Sequence, residues 1–412
     1  MKITLKVNRN KLMIMLGSLI VSIMLCEVAY LSWRFVAVAR IQLLGRCVMV
    51  VVSFCFLIRQ RLNGSVLRFK KMYLQTLVYI GWISICTLLG KGNIIVFVNT
   101  FSSILLVITF LELFDRNEEY LNTVLSTWKY YILLLILVDI LTEFFFPEGL
   151  YMTELYTENW FLGYKTARVA YSFPMYMIFA YQAMRQKKAL DWKFYLISFV
   201  AIVNTAMSKA TAALLMYVII TCIIATIDVA CRGQRLGLKR FVKWVLNYRF
   251  VIAIYVLVVL TMVVFERSEY FSIFLKMLGK RTDFSGRVRI WLKCIDVLCE
   301  SPLVGVGHQG SMYYVDLVSL RAATSAHNLI LTLLMSGGIV GALIYLWLCR
   351  NACYRQRKIY TQVDMMLYVC LYGVLLLGVT SSSFVFSPFS FLFFWFLDRE
   401  RYCGKGRKYL VL

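Results

Sequence analysis

Histidine, proline and acidic residues are scarce in this 412-residue chain, which has two His, four Pro, and 21 Asp and Glu against 45 Lys and Arg. Two imidazoles are too few for a histidine-rich metal site. The 12 cysteines include no C-x-x-C pair, which excludes the zinc and redox motifs built on that spacing. The sequence therefore predicts no metal and no cofactor. Charged residues make up only 16% of the chain, so an ordinary soluble domain is not expected.

Apolar residues are abundant instead, at 61% of the chain with a mean hydropathy of +0.74. Apolar runs long enough for a helix to cross a bilayer recur along the sequence. We predict an all-α, polytopic membrane helical bundle, a single membrane domain over residues 1–412, with about twelve transmembrane helices. The first apolar run is too long for a signal peptide. The predicted spans are 12–33, 40–58, 72–90, 92–114, 130–146, 167–184, 192–208, 210–230, 249–266, 327–349, 365–383 and 385–397.

The formal net charge of +24 would suit nucleic-acid binding, but the distribution of Lys and Arg favours a membrane protein. With the N-terminus inside, and with basic residues at the span ends counted in the adjoining segments, the cytoplasmic segments carry 30 Lys and Arg and the short outer loops carry six. This asymmetry follows the positive-inside rule and places both termini in the cytoplasm. Basic runs such as 59–71 and 231–244 are then anchors on anionic membrane lipids, and no nucleic-acid partner is predicted.

One long loop, 267–326, follows the ninth span, and the topology places it on the outer side of the membrane. Its middle, "SGRVRIWLKCIDVLCESPLVGVG", predicts an amphipathic helix with Ser285 as N-cap, Trp291 at the membrane interface and Pro302 at the end. Because the loop is rich in Lys and Arg, it requires an anionic partner, either lipid headgroups or a substrate phosphate. Its eight basic residues are Arg267, Lys276, Lys280, Arg281, Arg287, Arg289, Lys293 and Arg321.

A histidine begins the tenth span, in the stretch "SAHNLILTLLMSGGIVG". This helix runs from outside to inside, so His327 lies at the outer boundary and Ser325 is the predicted N-cap. The helix dipole favours an anion there and disfavours imidazolium, which would leave His327 able to accept a proton. The alternative is an interfacial histidine that is hydrogen-bonded to a loop carbonyl.

Two further outward-facing helix starts carry cations. Lys209 follows Ser208, the predicted cap of the eighth span, and Lys165 and Arg168 lie at the outer end of the sixth. Cations oppose the dipole at a helix N-terminus, so either a bound diphosphate or lipid phosphate is expected to offset their cost. Charged residues within the spans, Glu27, Arg46 and Asp139, are expected to pair internally. Glycines 337, 338 and 341 are expected to contact a neighbouring helix.

The motifs "SGR", "SPLVGVG", "AHN" and "GGIVG", in this order within residues 283–345, resemble the signature of the O-antigen ligase and polysaccharide polymerase superfamily. "SKATAALL" and "FLGYKT" resemble a helix start and a loop of the same family. The resemblance implies a GT-C-like membrane glycosyltransferase fold and metal-independent transfer of an oligosaccharide from a polyprenyl diphosphate carrier. It implies that Arg287 binds the diphosphate and that His327 orients or deprotonates the acceptor hydroxyl. Lys209 stands where many members have arginine.

The predicted site therefore has His327 and Arg287 as catalytic residues, with Lys209, Arg289, Arg168 and Lys165 as candidates for diphosphate binding. Arg289 lies on a different helical face from Arg287, so its contribution should be smaller.

Three functions remain open from the sequence. A polymerase, favoured by the "FLGYKT" loop, would add the growing glycan to a lipid-linked repeat unit, whereas an O-antigen ligase would add it to lipid A core. A flippase or secondary transporter would also have many spans, but its polar residues should gather at the membrane midplane. The resemblance implies a bacterial cytoplasmic membrane with the site on its outer face. A flippase and a chain-length regulator are the expected protein partners.

Overall fold

The computed structural model describes residues 9–63, 69–187, 190–232, 287–321, 323–354, 362–380 and 386–403, with the single residues 253 and 257. These described residues are mostly helical and form no strand, only isolated β-bridges in the loop at 151–163. The helices, in chain order, are α1 Arg9–Leu25, α2 Ala29–Arg34, α3 Val36–Leu62, α4 Lys71–Leu89, α5 Ile94–Phe114, α6 Glu118–Phe145, α7 Val169–Lys187, α8 Trp192–Met207, α9 Thr211–Arg232, α10 Arg287–Glu300, α11 Ser311–Val318, α12 Leu329–Tyr354, α13 Gln362–Thr380 and α14 Leu392–Cys403.

The all-α, polytopic membrane class is confirmed. Six helices in the described part of the chain are long and apolar enough to cross a membrane, namely α3, α4, α5, α6, the Thr211–Ala230 portion of α9 and the Leu329–Ala352 portion of α12. Trp192–Met207 and Val363–Leu375 are shorter apolar helices. The predicted span 249–266 lies outside the described helices, so the total of about twelve spans stays a prediction.

The first predicted span, 12–33, is wrong as a single helix, because the chain forms α1 and α2 with a break at residues 26–28. The backbone carbonyl of Glu27 accepts a hydrogen bond from the Tyr171 hydroxyl at 2.6 Å. The Glu27 carboxylate also pairs with Arg46, at 3.8 Å between Oε2 and Nη2. A side chain of another helix therefore satisfies the backbone group that the break leaves without a partner in its own helix.

The described residues divide into two compact units, and the first comprises those within Met1–Tyr73, Phe101–Ala210 and Ser387–Trp395. In this unit α6 packs against α1, α7 and α8, and α3 packs against α1 and α2. Side-chain caps start two of these helices: Asn117 accepts from Tyr120 N at 3.1 Å in α6, and Asp191 accepts from Phe194 N at 3.3 Å in α8.

The second unit comprises the described residues within Leu74–Thr100, Thr211–Phe386 and Phe396–Leu412. Here α9 packs against α13, and α12 packs against both α10 and α13. Two of the three glycines contact a neighbouring helix as predicted, because Cβ atoms at Gly337 and Gly341 would meet Trp82 and Ile83 of α4.

Gly338 contacts a loop instead. Its φ of 62° interrupts the helical geometry of α12. A Cβ there would lie 2.1 Å from the Leu303 carbonyl. The bend allows the loop 301–306 to hydrogen-bond to α12, with Ile339 N donating to Pro302 O at 2.8 Å and Val306 N donating to Met335 O at 2.8 Å. Only glycine meets both the steric and the conformational requirement at this position.

Candidate functional site

Helix α10, in the predicted outer loop, packs against the protein through one face. Ile290, Trp291 and Cys294 are buried in a cluster that also includes Tyr314 and Met335. The prediction that Trp291 lies at the membrane interface is wrong, because the indole is 5% exposed. A tryptophan has enough apolar surface for either the membrane interface or a buried cluster, so hydropathy alone did not distinguish these two locations.

Leu292 and Ile295 are apolar and lie within about one helical turn of Trp291, but they are exposed at 58% and 47%. The packed face is rotated toward Ile290 and Cys294. Sequence periodicity defined the helix correctly, and its end at Glu300, before Pro302, is confirmed. The predicted N-cap, Ser285, lies outside the described residues.

The buried face of α10 holds the loop that carries the predicted catalytic histidine. Trp291 Nε1 donates a hydrogen bond of 3.0 Å to the carbonyl of Ala326, the residue before His327. Arg287 lies four residues before Trp291, and residues four apart share one side of a helix. The structure therefore brings the segment with His327 against the side of α10 that begins with Arg287, whose side chain is half-buried.

His327 has an unusual backbone conformation, with φ of 48° in the left-handed region. A non-glycine residue there costs on the order of 1 kcal/mol or more, so the surrounding contacts must stabilise it. Its amide donates to Ser325 Oγ at 3.3 Å. The side chain is half-buried, and it lies next to the start of a helix, as the sequence predicted.

The predicted cap of this helix is wrong in detail, because Asn328 and not Ser325 caps α12. Asn328 Oδ1 accepts from Ile330 N at 3.0 Å and from Leu331 N at 3.2 Å. Ser325 is too far from the first helical residue, and the left-handed turn at His327 directs the chain into the helix after the serine. Asparagine is among the preferred N-cap residues, so the "HN" pair contains both the candidate histidine and the cap.

Three backbone amides in and directly after the glycine-rich loop "PLVGVG" donate to acceptors of the protein, so these amides do not form a phosphate cradle. Gly305 N donates to Ser301 O at 2.9 Å, and Val306 N donates to Met335 O at 2.8 Å. Two residues after Val306, His308 N donates to Thr87 Oγ1 at 3.1 Å. The amides of Val306 and His308 join the loop to α12 and α4, and the Gly305 amide closes the turn within the loop.

His308 is the other histidine of the chain, and it is a buried structural residue. Its Nε2 lies 3.1 Å from Thr100 Oγ1, and Phe386 packs edge-on against the ring at a centroid distance of 5.1 Å. Burial lowers the pKa of the His308 imidazole from 6.5 to about 4. The ring is consequently neutral at physiological pH and holds the loop 301–310 to the α4–α5 segment.

In the first unit, Arg168 is fully buried and paired with two carboxylates. Its Nε lies 3.0 Å from Asp139 Oδ2, and Nη1 pairs with Glu143. The guanidinium also lies over the Trp160 ring, with Cζ 4.6 Å from the ring centroid. This arrangement confirms the expected internal pairing of Asp139. The carboxylates compensate the charge of Arg168 without an anionic ligand, and a diphosphate role for this residue stays a prediction.

Asp139 connects three parts of the first unit. Its Oδ1 accepts from the amide of Leu162, in the "FLGYKT" loop, at 2.8 Å, and its Oδ2 accepts from Asn204 Nδ2 of α8 at 3.3 Å. Together with Arg168, these contacts attach both the "FLGYKT" loop and the end of α8 to one carboxylate of α6. Asp139 is therefore bonded to the two segments that carry Lys165 and Lys209.

Lys209 is exposed, and it completes the last turn of α8 in a left-handed conformation with φ of 53°. Its amide donates to Ala206 O at 3.0 Å. Ser208, the predicted cap of the following helix, is instead the C-cap of α8, and its hydroxyl donates to Thr205 O at 3.2 Å. The negative end of the α8 dipole favours a cation here, so Lys209 does not require a bound anion to offset its charge.

Lys165 is half-buried, with Nζ 5.2 Å from the centroid of the Tyr164 ring, which stacks on Tyr156 at 4.0 Å. Arg289 is exposed on α10, away from the packed face. The candidates thus fall into two groups. Arg287, Arg289 and His327 belong to the second unit, and Lys165, Arg168 and Lys209 belong to the first.

Sequence reasoning missed the roles of Trp291, Asn328 and His308. Asn328 had a usable signal, because asparagine directly before an apolar helix is a common N-cap. The other two had none, because a hydrogen bond between residues 35 positions apart, as for Trp291 and Ala326, leaves no local pattern.

Residues 194–346 match a family model described as O-antigen ligase. The match covers somewhat more than a third of the chain, and it includes Lys209, Arg287, Arg289 and His327 but not Lys165 or Arg168. Among curated proteins and solved structures, none matches the chain significantly. Over the matched segment the protein is therefore similar to the O-antigen ligase family, in agreement with the resemblance of its motifs.

Proposed function

We propose that the protein is a polysaccharide polymerase of the bacterial cytoplasmic membrane. It transfers a growing glycan, without a metal ion, from a polyprenyl diphosphate carrier to a lipid-linked repeat unit. The observation that carries the proposal is the attachment of the His327 loop to α10 through Trp291 and Ala326. This contact joins a general-base candidate to the helix of a diphosphate-binding candidate.

The reaction requires a base and a stabilising cation. The acceptor hydroxyl oxygen attacks the anomeric carbon of the donor sugar, and the bond from that carbon to the phosphate oxygen breaks. The electron pair leaves with the diphosphate, where Arg287 stabilises the developing negative charge. The hydroxyl proton passes to His327, and such general-base assistance typically contributes ~10²–10⁴-fold to the rate.

The location of the reaction follows from the charge distribution in the sequence. The cytoplasmic segments hold 30 of the 45 Lys and Arg, which supports cytoplasmic termini and an outer-face site. Leu292 and Ile295 are exposed on α10, and we expect them to contact membrane lipid beside the site. A lipid-bound donor and a lipid-bound acceptor would both reach a site at this boundary. A flippase and a chain-length regulator remain the expected partners.

Substitution of Arg287 by lysine tests whether the guanidinium binds the diphosphate. Lysine keeps the charge but cannot form two parallel hydrogen bonds with a phosphate group. A charge-assisted hydrogen bond contributes about 1.5–3 kcal/mol, so Arg287→Lys should lower turnover of a purified lipid-linked repeat by roughly 10- to 150-fold. Arg321→Lys, an exposed position in the same loop, is the matched control and should retain wild-type turnover. Equal turnover in the two variants would contradict the diphosphate assignment.

A ligase is the second candidate, because the matched family model carries that description. The two functions differ in the acceptor. Purified protein should extend a lipid-linked repeat when that is the only acceptor offered, and lipid A core should not compete. Transfer to lipid A core alone would favour the ligase, and movement of the lipid across a bilayer without glycosidic bond formation would favour a transporter.

A further inference from the structure

We infer that Trp291 is a positioning residue for His327: its indole N–H fixes the backbone from which the catalytic imidazole extends, relative to the helix that carries Arg287. This inference rests on the proposed function, because it assigns Trp291 a role in the same reaction. It does not require Trp291 to contact substrate.

The hydrogen bond from Trp291 to Ala326 is built into a tightly packed site. Trp291 is 5% exposed and Ala326 is fully buried, so water does not compete for the donor or the acceptor. The distance of 3.0 Å is normal for an N–H···O bond. A buried donor that lost its carbonyl would stay unsatisfied, and this penalty restrains the loop to the observed position.

The loop needs such a restraint. His327 has a positive φ, a conformation that a free chain rarely adopts. On its C-terminal side the backbone is held by the cap at Asn328, and on its N-terminal side Ser325 Oγ accepts from the His327 amide at 3.3 Å. Both of these contacts are local to the loop and to α12. The hydrogen bond from Trp291, by contrast, connects the loop to a different helix, α10.

The inference has a direct consequence for catalysis. If the indole bond is lost, His327 and Arg287 stay chemically intact, but the distance between base and diphosphate site is no longer fixed. Misplacement of a catalytic group by about 1 Å can cost ~10²-fold in rate. Substrate binding, which depends on the cations and the lipid chains, should change little.

The test is Trp291→Phe in the full-length protein, which keeps an aromatic ring in the cluster and removes the N–H donor. The expected result is a loss of roughly 10- to 100-fold in kcat with an unchanged KM for the lipid-linked repeat. Trp82→Phe is the matched control, because Trp82 Nε1 donates a similar hydrogen bond of 2.8 Å to the Gly337 carbonyl in the same unit. We expect similar thermal stability for the two variants and wild-type kcat for Trp82→Phe.

Two further measurements separate positioning from a general structural defect. Added to His327→Ala, the Trp291→Phe substitution should cause no further loss of rate, because it acts through the missing imidazole. The chain has only two histidines, so isotope-labelled imidazoles give two resolvable signals, and Trp291→Phe should shift that of His327 and leave that of His308 in place. Equal kcat for Trp291→Phe and wild type, with His327→Ala inactive, would overturn the inference alone. An active His327→Ala would overturn the proposed function.

Discussion

Removal of the Asp139 carboxylate should destabilise the first unit more than removal of one member of an exposed ion pair. The carboxylate is fully buried, and it interacts with the guanidinium of Arg168, the amide of Leu162 and the side-chain amide of Asn204. Among the described residues, Asp139→Ala would leave Glu143 as the one charged partner of Arg168. Breaking a buried ion pair by removing one member typically costs about 3–5 kcal/mol.

The same helix supplies a matched control. Glu119 of α6 pairs with Lys11 at 3.4 Å, but the two side chains are 60% and 52% exposed. Exposed pairs contribute about 0–1 kcal/mol, so Glu119→Ala should behave almost as wild type. The assay is thermal unfolding of the detergent-solubilised protein at one fixed scan rate, because membrane proteins often unfold irreversibly.

The double variant Asp139→Leu, Arg168→Met adds a second comparison. Arg168 also pairs with the buried Glu143, so the double variant leaves that carboxylate without its charged partner and should be no more stable than Asp139→Ala. Equal unfolding temperatures for Asp139→Ala and Glu119→Ala would show that the Asp139 network does not hold the "FLGYKT" loop, and would refute the reasoning.

Three more predictions concern pH, packing and topology. The pKa of His308 is about 4 in the folded protein and 6.5 in the unfolded chain, so its contribution to the free energy of unfolding should be constant above about pH 7 and fall by about 2 kcal/mol by pH 5. His308→Gln should remove that part of the pH dependence of thermal stability. An unchanged pH dependence would contradict the burial argument. Gly338→Ala should lower the free energy of unfolding by at least about 2 kcal/mol through backbone strain and overpacking. Gly17→Ala is the control and should not lower the unfolding temperature, because a Cβ at Gly17 meets nothing within 4 Å. Equal unfolding temperatures for the two variants would argue against the close contact at Gly338. In a variant without reactive native cysteines, Asp316→Cys should react with an impermeant thiol reagent in cells whose inner membrane is intact and Lys71→Cys should not, and the reverse pattern would invert the topology.

The helices of this protein could be predicted from sequence because lipid imposes a simple rule. A backbone in hydrocarbon must form its own hydrogen bonds, so each long apolar run specifies a helix. The predicted spans 72–90 and 92–114 accordingly match Lys71–Leu89 and Ile94–Phe114 closely. The rule failed at Glu27, where a side chain from another helix satisfies the backbone and allows a break.

The candidate site was predictable only where a motif carried it. The "HN" pair indicated His327 at a helix start, and the "GR" motif indicated Arg287, but neither shows that Trp291 links their elements. The Trp291–Ala326 contact, like the carboxylate partners of Arg168, depends on how distant segments pack. Hydropathy records how apolar a residue is, but it does not record which neighbour covers it. For the same reason α10 buries Cys294 and exposes Leu292, the reverse of what their hydrophobicity suggests.

The most direct test of the central claim is glycan transfer by the purified full-length protein in proteoliposomes that contain only a lipid-linked repeat unit. We predict longer lipid-linked glycans and release of one polyprenyl diphosphate for each new glycosidic bond. His327→Ala and Arg287→Ala should insert and fold normally but release almost no diphosphate. Failure of the wild-type protein to form any glycosidic bond, or a wild-type rate in His327→Ala, would contradict the account.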